Sequence, residues 1–416
     1  MISGVWLSRL IVGGSFILSG FTKAVDPWGT IYKLEQYLAV WDWAQPRSLI
    51  LIFTLLLCAS EFLIGISLIM GMYRKSIPRV AFLFILFFLI LTGYIVIWSP
   101  VDDCGCFGDA IKLSNSATFY KNVVLTILII FLLKYNKRGS SIFSTLLQWL
   151  VLASSLIYIG LVSIISYMIQ PLIDFRDFPI GTEILNQDEG ERVTIKLKYQ
   201  KGEEVALFDS DNLPSSESGW EYIGRVIEEN NNNLELIIED ENGDDITSEI
   251  ITDNGGQLFI VIPELNRADI SVTMHLNRIN AVAQKYGIDV IALIGSADYN
   301  DINWWRDIGM ASYPIYIADA STLKNLSRGE TSLVYLEDGK IIDKVSMSII
   351  SNGNIQELEN GNVSFEEFMN FNPTGIIKWL SRIYGIILII LLLLSLPEKY
   401  KNIIKKGVRK IPTPNS

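Results

Sequence analysis

Three cysteines occur in 416 residues, and two of them, Cys104 and Cys106, are separated only by Gly105. Cysteines so placed can hold a disulfide, pass it to another thiol, or offer thiolates to a metal. An extended step from residue i to i+2 spans roughly 6.6–7.2 Å between Cα atoms, whereas a disulfide needs about 4.4–6.8 Å. A bridge therefore requires a turn, which Gly105 and Gly108 make accessible. A loop this tight is expected to store strain, which raises the reduction potential and makes the pair an oxidant. From the residues alone two readings stay open: a reversible disulfide that exchanges with a thiol partner or a membrane quinone, and a static bridge that pins two helices. A metal site fits less well, and none is expected. The neighbouring Asp102, Asp103 and Asp109 are hard ligands, thiolates are soft, and the single histidine, His275, is distant in sequence.

Other candidates carry charge or aromatic surface. Arg9 and Glu61 both fall inside apolar runs, where ionised side chains must face a bundle interior. If their helices are antiparallel neighbours, the two differ in depth by about 8 Å at 1.5 Å per residue. An intramembrane Arg9–Glu61 pair is therefore expected, either structural, with Ser15, Ser19 and Ser60 as hydrogen-bond partners, or serving a proton or quinone headgroup. Lys23 and Asp26 read as interfacial charges. Cys58 lies mid-run and behaves as a small apolar residue. Trp304 and Trp305 are adjacent in a helical segment, so one of them must point away from the core and can anchor a partner. The acidic run Glu239-Asp240-Glu241 with Asp244 and Asp245 reads as a solvated turn without the full calcium-loop pattern.

The elements that position these groups are membrane spans. Hydrophobic residues make up 50% of the chain and charged residues 19%, which excludes a disordered chain and argues against an entirely soluble one. Apolar stretches near the ~20 residues that cross a bilayer fall at about 5–24, 48–71, 78–99, 119–134, 146–169 and 376–396. Lys and Arg mark the loops on one side: Arg74, Lys75 and Arg79; Lys134, Lys137 and Arg138; and in the tail Lys399, Lys401, Lys405, Lys406, Arg409 and Lys410. Both termini are thereby expected in the cytoplasm, and the cysteine loop and residues 171–375 on the outer, periplasmic side. Residues 170–375 carry 37 acidic against 14 basic side chains, and the remainder 8 against 20. The net charge of −11 thus averages a basic membrane unit and an acidic outer domain. That net acidity argues against nucleic acid as a partner, because phosphate must be neutralised by clustered base. Trp41, Trp43, Trp98, Trp149 and Trp379 lie near span ends, as interfacial anchors do.

The outer segment has a mixed α/β pattern. Val193–Tyr199 and Val205–Phe208 read as a hairpin, and Leu234–Ile238 with the turn at Asn242-Gly243 as a further strand. Leu258–Ile262 is an apolar run of the buried-strand kind. A helix is expected over 268–286, strands at Asp289–Ile294 and Ile315–Ile317 with a helix at 299–309 between them, and a hairpin Leu333–Leu336/Ile341–Val345 across Asp338-Gly339. This order resembles the thioredoxin-like fold of TlpA-type and peroxiredoxin-like proteins over about 230–350. Where that family carries Cys-x-x-Cys, after Leu258–Ile262, the sequence has Pro263-Glu264-Leu265-Asn266-Arg267-Ala268. No cysteine follows Cys106, and no proline stands at Glu330-Thr331-Ser332, where the family's cis-proline belongs. The domain is thus expected to bind or dock without exchanging disulfides.

The first span, from Arg9-Leu10-Ile11-Val12-Gly13-Gly14 through Ser19-Gly20-Phe21-Thr22-Lys23 to Asp26-Pro27, resembles the opening of DoxX and MauE-type proteins. Glu61 with Gly65 and Gly71, and Asp103-Cys104-Gly105-Cys106-Phe107-Gly108-Asp109 leading to Lys121-Asn122, extend the likeness over about residues 4–135. The whole arrangement resembles a group of inner-membrane proteins of Bacteroidota. The resemblance implies a link to disulfide formation in exported proteins, for MauE, and to membrane thiol or quinone redox functions, for DoxX.

The expected architecture is a DoxX/MauE-like membrane domain over 1–170, a linker and hairpin region over 171–229, a thioredoxin-like domain over 230–375, and a C-terminal span with a basic tail over 376–416. Two functions compete. In one, Cys104 and Cys106 exchange disulfides and pass electrons onward, with quinone as a candidate acceptor. In the other, the protein is a non-enzymatic scaffold whose acidic domain docks an envelope protein.

Overall fold

A computed structural model describes residues 2–43, 45–98, 101, 104–111, 113–135, 141–184, 194–201, 204–209, 221–228, 235–240, 243–295, 297–370 and 372–408. The readings placed on Asp102, Asp103, Lys137, Arg138, Val193, Leu234, Glu241, Asn242, Arg409 and Lys410 lie outside these residues. The chain divides into two compact units, one of residues 1–176, 345–354 and 366–416, the other of 177–344 and 355–365.

In the first unit the apolar runs form α1 (Ile2–Val25), α2 (Pro27–Val40), α3 (Arg47–Met70), α4 (Ile77–Trp98), a short strand β1 (Cys106–Asp109), α5 (Asn115–Tyr135) and α6 (Thr145–Met168). The sequence pattern had not separated α2. Its start is nonetheless encoded locally: the Asp26 carboxylate accepts the Gly29 N–H at 3.1 Å, and Pro27 takes the first helical position, where no N–H is needed. Helix α5 begins four residues before its apolar run because the Ser114 hydroxyl accepts the Ala117 N–H at 3.3 Å. The Asp26-capped helix lays Trp28 against Tyr167 of α6, with rings stacked at 4.9 Å and the indole N–H donating to the Tyr167 carbonyl at 2.9 Å.

Helices α1 and α3 run antiparallel and pack backbone to backbone. A Cβ at Gly13 would lie 2.9 Å from the Gly65 carbonyl oxygen, and one at Gly20 would lie 2.6 Å from the Phe62 nitrogen and 2.8 Å from the Cys58 oxygen. Small residues at such crossings let two helices approach closely where lipid supplies no hydrophobic drive. This approach fixes the vertical register of everything that α1 and α3 carry.

The second unit holds two sheets. Strands β2 (Thr194–Lys201), β3 (Glu204–Asp209) and β4 (Glu221–Glu228) form one, in the order β3-β2-β4, so the expected hairpin is present and gains a third strand. The other sheet is built from β5 (Ile238–Glu239), then α7 (Thr247–Ile250), β6 (Gly256–Ile262), α8 (Val272–Lys285), β7 (Asp289–Ile294), α9 (Tyr299–Gly309), β8 (Ile315–Ala318), α10 (Ala320–Leu326), β9 (Ser332–Glu337) and β10 (Lys340–Ser346). Its six strands stand in the order β10-β9-β6-β7-β8-β5. Strands β6, β7 and β8 are parallel, joined through α8 and α9, while β9 runs antiparallel to β6 and β5 antiparallel to β8. The side chains of β6 from Leu258 to Ile262 are buried, as a central strand requires. Strand β5 begins only at Ile238, whose N–H goes to the Thr247 hydroxyl at 2.7 Å. Asp338 and Gly339, both at positive φ (50° and 70°), make the turn between β9 and β10.

Two short helices, α11 (Asn352–Glu359) and α12 (Phe365–Met369), lead to α13 (Pro373–Val408), the last apolar helix. Within the first unit α13 packs on α6, where the Tyr158 and Tyr384 rings stack at 4.3 Å and the Ser155 and Tyr384 hydroxyls lie 2.7 Å apart. Among the described residues six helices, α1, α3, α4, α5, α6 and the Pro373–Leu396 part of α13, are long and apolar enough to cross a bilayer. The chain is thus a multi-pass membrane protein with a mixed six-strand α/β domain between its fifth and sixth spans. Trp41, Trp43, Trp98, Trp149 and Trp379 are all exposed.

The α1–α3 register has a direct test. Gly20→Val should destabilise the bundle at or above the upper end of the ~1–3 kcal/mol of core overpacking, since it meets backbone that cannot move aside. Gly14→Ala, with nothing within 4 Å of the new methyl, should be close to neutral. Thermal unfolding of the full chain in detergent checks both, and equal melting temperatures would disprove the close approach.

Candidate functional site

Cys104 and Cys106 are joined by a disulfide, with their Cα atoms 5.5 Å apart. Gly105 supplies the required turn at φ 61°, and the Gly108 N–H closes it onto the Gly105 carbonyl at 3.0 Å. Both cysteines are buried, packed with Ile95 and Val101 and flanked by Tyr37, Phe88, Leu91 and Tyr94.

The loop rests on a buried ion pair. The Lys23 ammonium lies 2.8 Å from Glu61 Oε2 and 3.0 Å from Oε1, and both side chains are only 4% exposed. The same ammonium donates to Ser19 Oγ at 2.6 Å and to the Cys106 carbonyl at 2.7 Å. Its three hydrogens are thus matched by a carboxylate, a hydroxyl and the loop backbone, the full satisfaction that a buried charge demands. Ser19 Oγ in turn lies 2.9 Å from Glu61 Oε2 and 2.6 Å from the Cys106 carbonyl, so its one hydrogen serves either acceptor at a time. Around the loop, the Tyr37 hydroxyl donates to the Cys104 carbonyl at 3.1 Å, the Lys33 side chain covers Gly105, and the Lys121 ammonium stands 4.1 Å from the centre of the Phe107 ring.

The expected Arg9–Glu61 pair is not what Glu61 makes, and the register explains why. Gly13 against Gly65 and Gly20 against Phe62 slide α1 past the end of α3, so the span ends are not level. Glu61 therefore meets Lys23, fourteen residues or about 21 Å along α1 from Arg9. Arg9 is fully buried instead beside Trp6, its guanidinium carbon 5.1 Å from the ring centre. The residues that sequence reasoning passed over were Lys23, taken as interfacial, together with Lys33, Tyr37 and Lys121. A signal for the first was present: Ser15, Ser19 and Lys23 recur at i, i+4 and i+8 and so share one face of α1.

Beside the loop lies a cavity of about 30 Å³ lined by Ser15, Ser19, Glu61, Phe88, Cys106, Lys121 and Asn122. It has room for water, and Ser15, Ser19, Glu61, Lys121 and Asn122 offer that water polar partners within walls that Phe16, Ile85, Phe88 and Leu125 make largely apolar. Cys58 is fully buried among apolar side chains, as expected of a small core residue. Among the described residues no cluster of three or more His, Cys, Asp or Glu has metal-binding geometry. In the second unit Trp305 is fully buried and Trp304 is 55% exposed, which divides the pair between core and surface. In the segment after β6, Glu264 forms ion pairs with Arg267 and Lys324. His275 is half-buried on α8.

Residues 1–135 match the family model of methylamine utilisation protein MauE. The MauE-like segment takes in α1 to α5 together with β1, and so contains both cysteines, Lys23, Glu61 and Lys121. No curated protein matches the chain.

Removing one partner of the Lys23–Glu61 pair leaves the other charge buried alone, which costs about 3–5 kcal/mol. Lys23→Met and Glu61→Gln should each lower the unfolding temperature strongly, and the double variant should recover most of the loss. Additive losses in thermal unfolding of the nanodisc-embedded protein would show that the two are not coupled.

Proposed function

We propose that this is an inner-membrane thiol–disulfide exchange protein of the cell envelope, working through the Cys104–Cys106 loop. The single observation that carries the reading is the seating of that disulfide on a buried ammonium–carboxylate pair inside the MauE-like segment. A static bridge between helices needs no charged support, and ionised groups within a membrane bundle mark working sites by default. The Lys and Arg bias of the loops and the acidity of residues 170–375 support an orientation with both termini in the cytoplasm and the loop outside.

The chemistry is a pair of exchanges. A client dithiol surrenders two electrons and two protons, its sulfurs join, and Cys104 and Cys106 become thiols. A second protein disulfide then accepts the same two electrons and two protons and restores the bridge.

The mixed six-strand domain is read as thioredoxin-like. Support comes from the parallel β6-β7-β8 core with helical crossovers, the antiparallel β9–β10 hairpin on its other side, and a segment after β6 that holds Glu264 and Arg267 in place of cysteines. Its role is to present clients, with exposed Trp304 as a contact.

The purified, oxidised full chain should convert a dithiol peptide to its disulfide in one-to-one yield, and Cys104→Ser with Cys106→Ser should abolish this. A bridge that resists reduction until below about −300 mV, the range of structural disulfides, together with full rescue of a deletion phenotype by the double serine variant, would replace exchange with a scaffold role.

A further inference from the structure

We propose that in this exchange Cys104 is the sulfur attacked and Cys106 the sulfur that leaves, with Lys23 the residue that positions charge for the departing thiolate. The assignment rests on the exchange reading above and adds the order of its steps. Its basis is an asymmetry around two cysteines that the sequence makes near-equivalent. On the Cys106 side, the Lys23 ammonium is bound to the Cys106 carbonyl at 2.7 Å and Ser19 Oγ lies 2.6 Å from the same oxygen. The next residue, Phe107, carries the Lys121 ammonium over its ring at 4.1 Å. On the Cys104 side the neutral Tyr37 hydroxyl donates to the Cys104 carbonyl at 3.1 Å. In sequence Cys104 also follows directly on two carboxylates, Asp102 and Asp103. Nearby cations favour a thiolate and nearby carboxylates oppose it, and the sulfur with the more stable thiolate is the better leaving group.

The charged groups that face the loop come from every element around it: Lys23 on α1, Lys33 on α2, Glu61 on α3, Lys121 on α5, and Asp109 on the loop's own strand. Glu61 offsets Lys23 only in part, because the ammonium and not the carboxylate touches the Cys106 backbone.

The step runs as follows. The thiolate of a client dithiol attacks Cys104 Sγ along the S–S axis. A bond forms between the client sulfur and Cys104, the Cys104–Cys106 bond breaks, and its electron pair stays on Cys106 as a thiolate beside Lys23. The client's second thiolate then attacks the client sulfur of the mixed disulfide and releases Cys104. The two protons lost by the client thiols end on Cys104 and Cys106, so the client is oxidised by two electrons and the loop reduced by two.

Single-cysteine proteins in a Cys58→Ala background test the order through the pH dependence of iodoacetamide alkylation of the reduced full chain in nanodiscs. Burial raises both thiols, so the readout is their difference: Cys106, left by Cys104→Ser, should titrate about one unit or more below Cys104, left by Cys106→Ser. Glu61→Gln should lower the Cys106 midpoint further, Lys23→Arg should keep it, and the uncharged pair Lys23→Met with Glu61→Gln should raise it towards that of Cys104. Lys121→Met should raise it too, and keeps the test open if the pair variant fails to fold. Equal or reversed midpoints, or a Cys106 midpoint indifferent to the three changes that alter charge, overturn the assignment. Dithiol peptide oxidation by the parent chain separates the two failures: continued oxidation with equal midpoints removes only the order of steps, whereas no oxidation removes the exchange reading beneath it.

Discussion

A lysine and a glutamate have been taken out of solvent between two helices, and the organisation of the first unit follows from keeping them satisfied. Each charge alone would cost several kcal/mol to bury. Together they still leave two ammonium hydrogens and several carboxylate lone pairs to match, and the protein places Ser19 and the Cys106 carbonyl there. The cysteine loop is therefore a structural part of the ion pair's coordination shell, and the ion pair is part of the loop's support. A shift of either disturbs the other, because hydrogen bonds to charged groups tolerate little change in distance.

That arrangement depends on the α1–α3 register, and the register depends on three glycines. Gly13, Gly20 and Gly65 bring two backbones close enough that no side chain intervenes. At this separation a slide of one turn would carry Lys23 away from Glu61 by about 5.4 Å, more than a hydrogen bond survives. The glycines thus set the depth at which the charges meet, and the charges set where the loop after α4 can come to rest.

Much of the fold was legible in the sequence for plain physical reasons. Spans show as apolar runs because lipid allows nothing else, and all six stand within a few residues of the runs that announce them. The buried strands Leu258–Ile262 and Asp289–Ile294, the helix at 299–309 and the Asp338-Gly339 turn were equally open to reading, since pattern and turn chemistry are local. The site was legible only in part. Cys104, Cys106 and Glu61 announce themselves by type, but the partner of Glu61 is decided by a helix offset that no local pattern encodes. Lys23 lies near a span end, where a charge is ordinary, and its role appears only once α3 is placed beside it. Helix α2 went unseen because it is amphipathic and short beside the spans, although its Asp26-Pro27 start is a recognisable cap.

The presence of the pair also bears on why the loop exists. Replacing a buried ion pair by well-packed apolar side chains is often neutral or stabilising, so stability alone does not explain Lys23 and Glu61. Nor does pinning α4 to α5 require them, since a disulfide and the apolar contacts of Ile95, Val101 and Phe88 already hold the loop. In the proposed exchange, a satisfied ammonium beside Cys106 supplies a charge held in place before any bond breaks, in a low-dielectric setting where its effect on a developing thiolate is large. A neutral replacement would remove the share of the difference between the two sulfurs that Lys23 supplies, and in the proposed exchange that difference gives the reaction its direction.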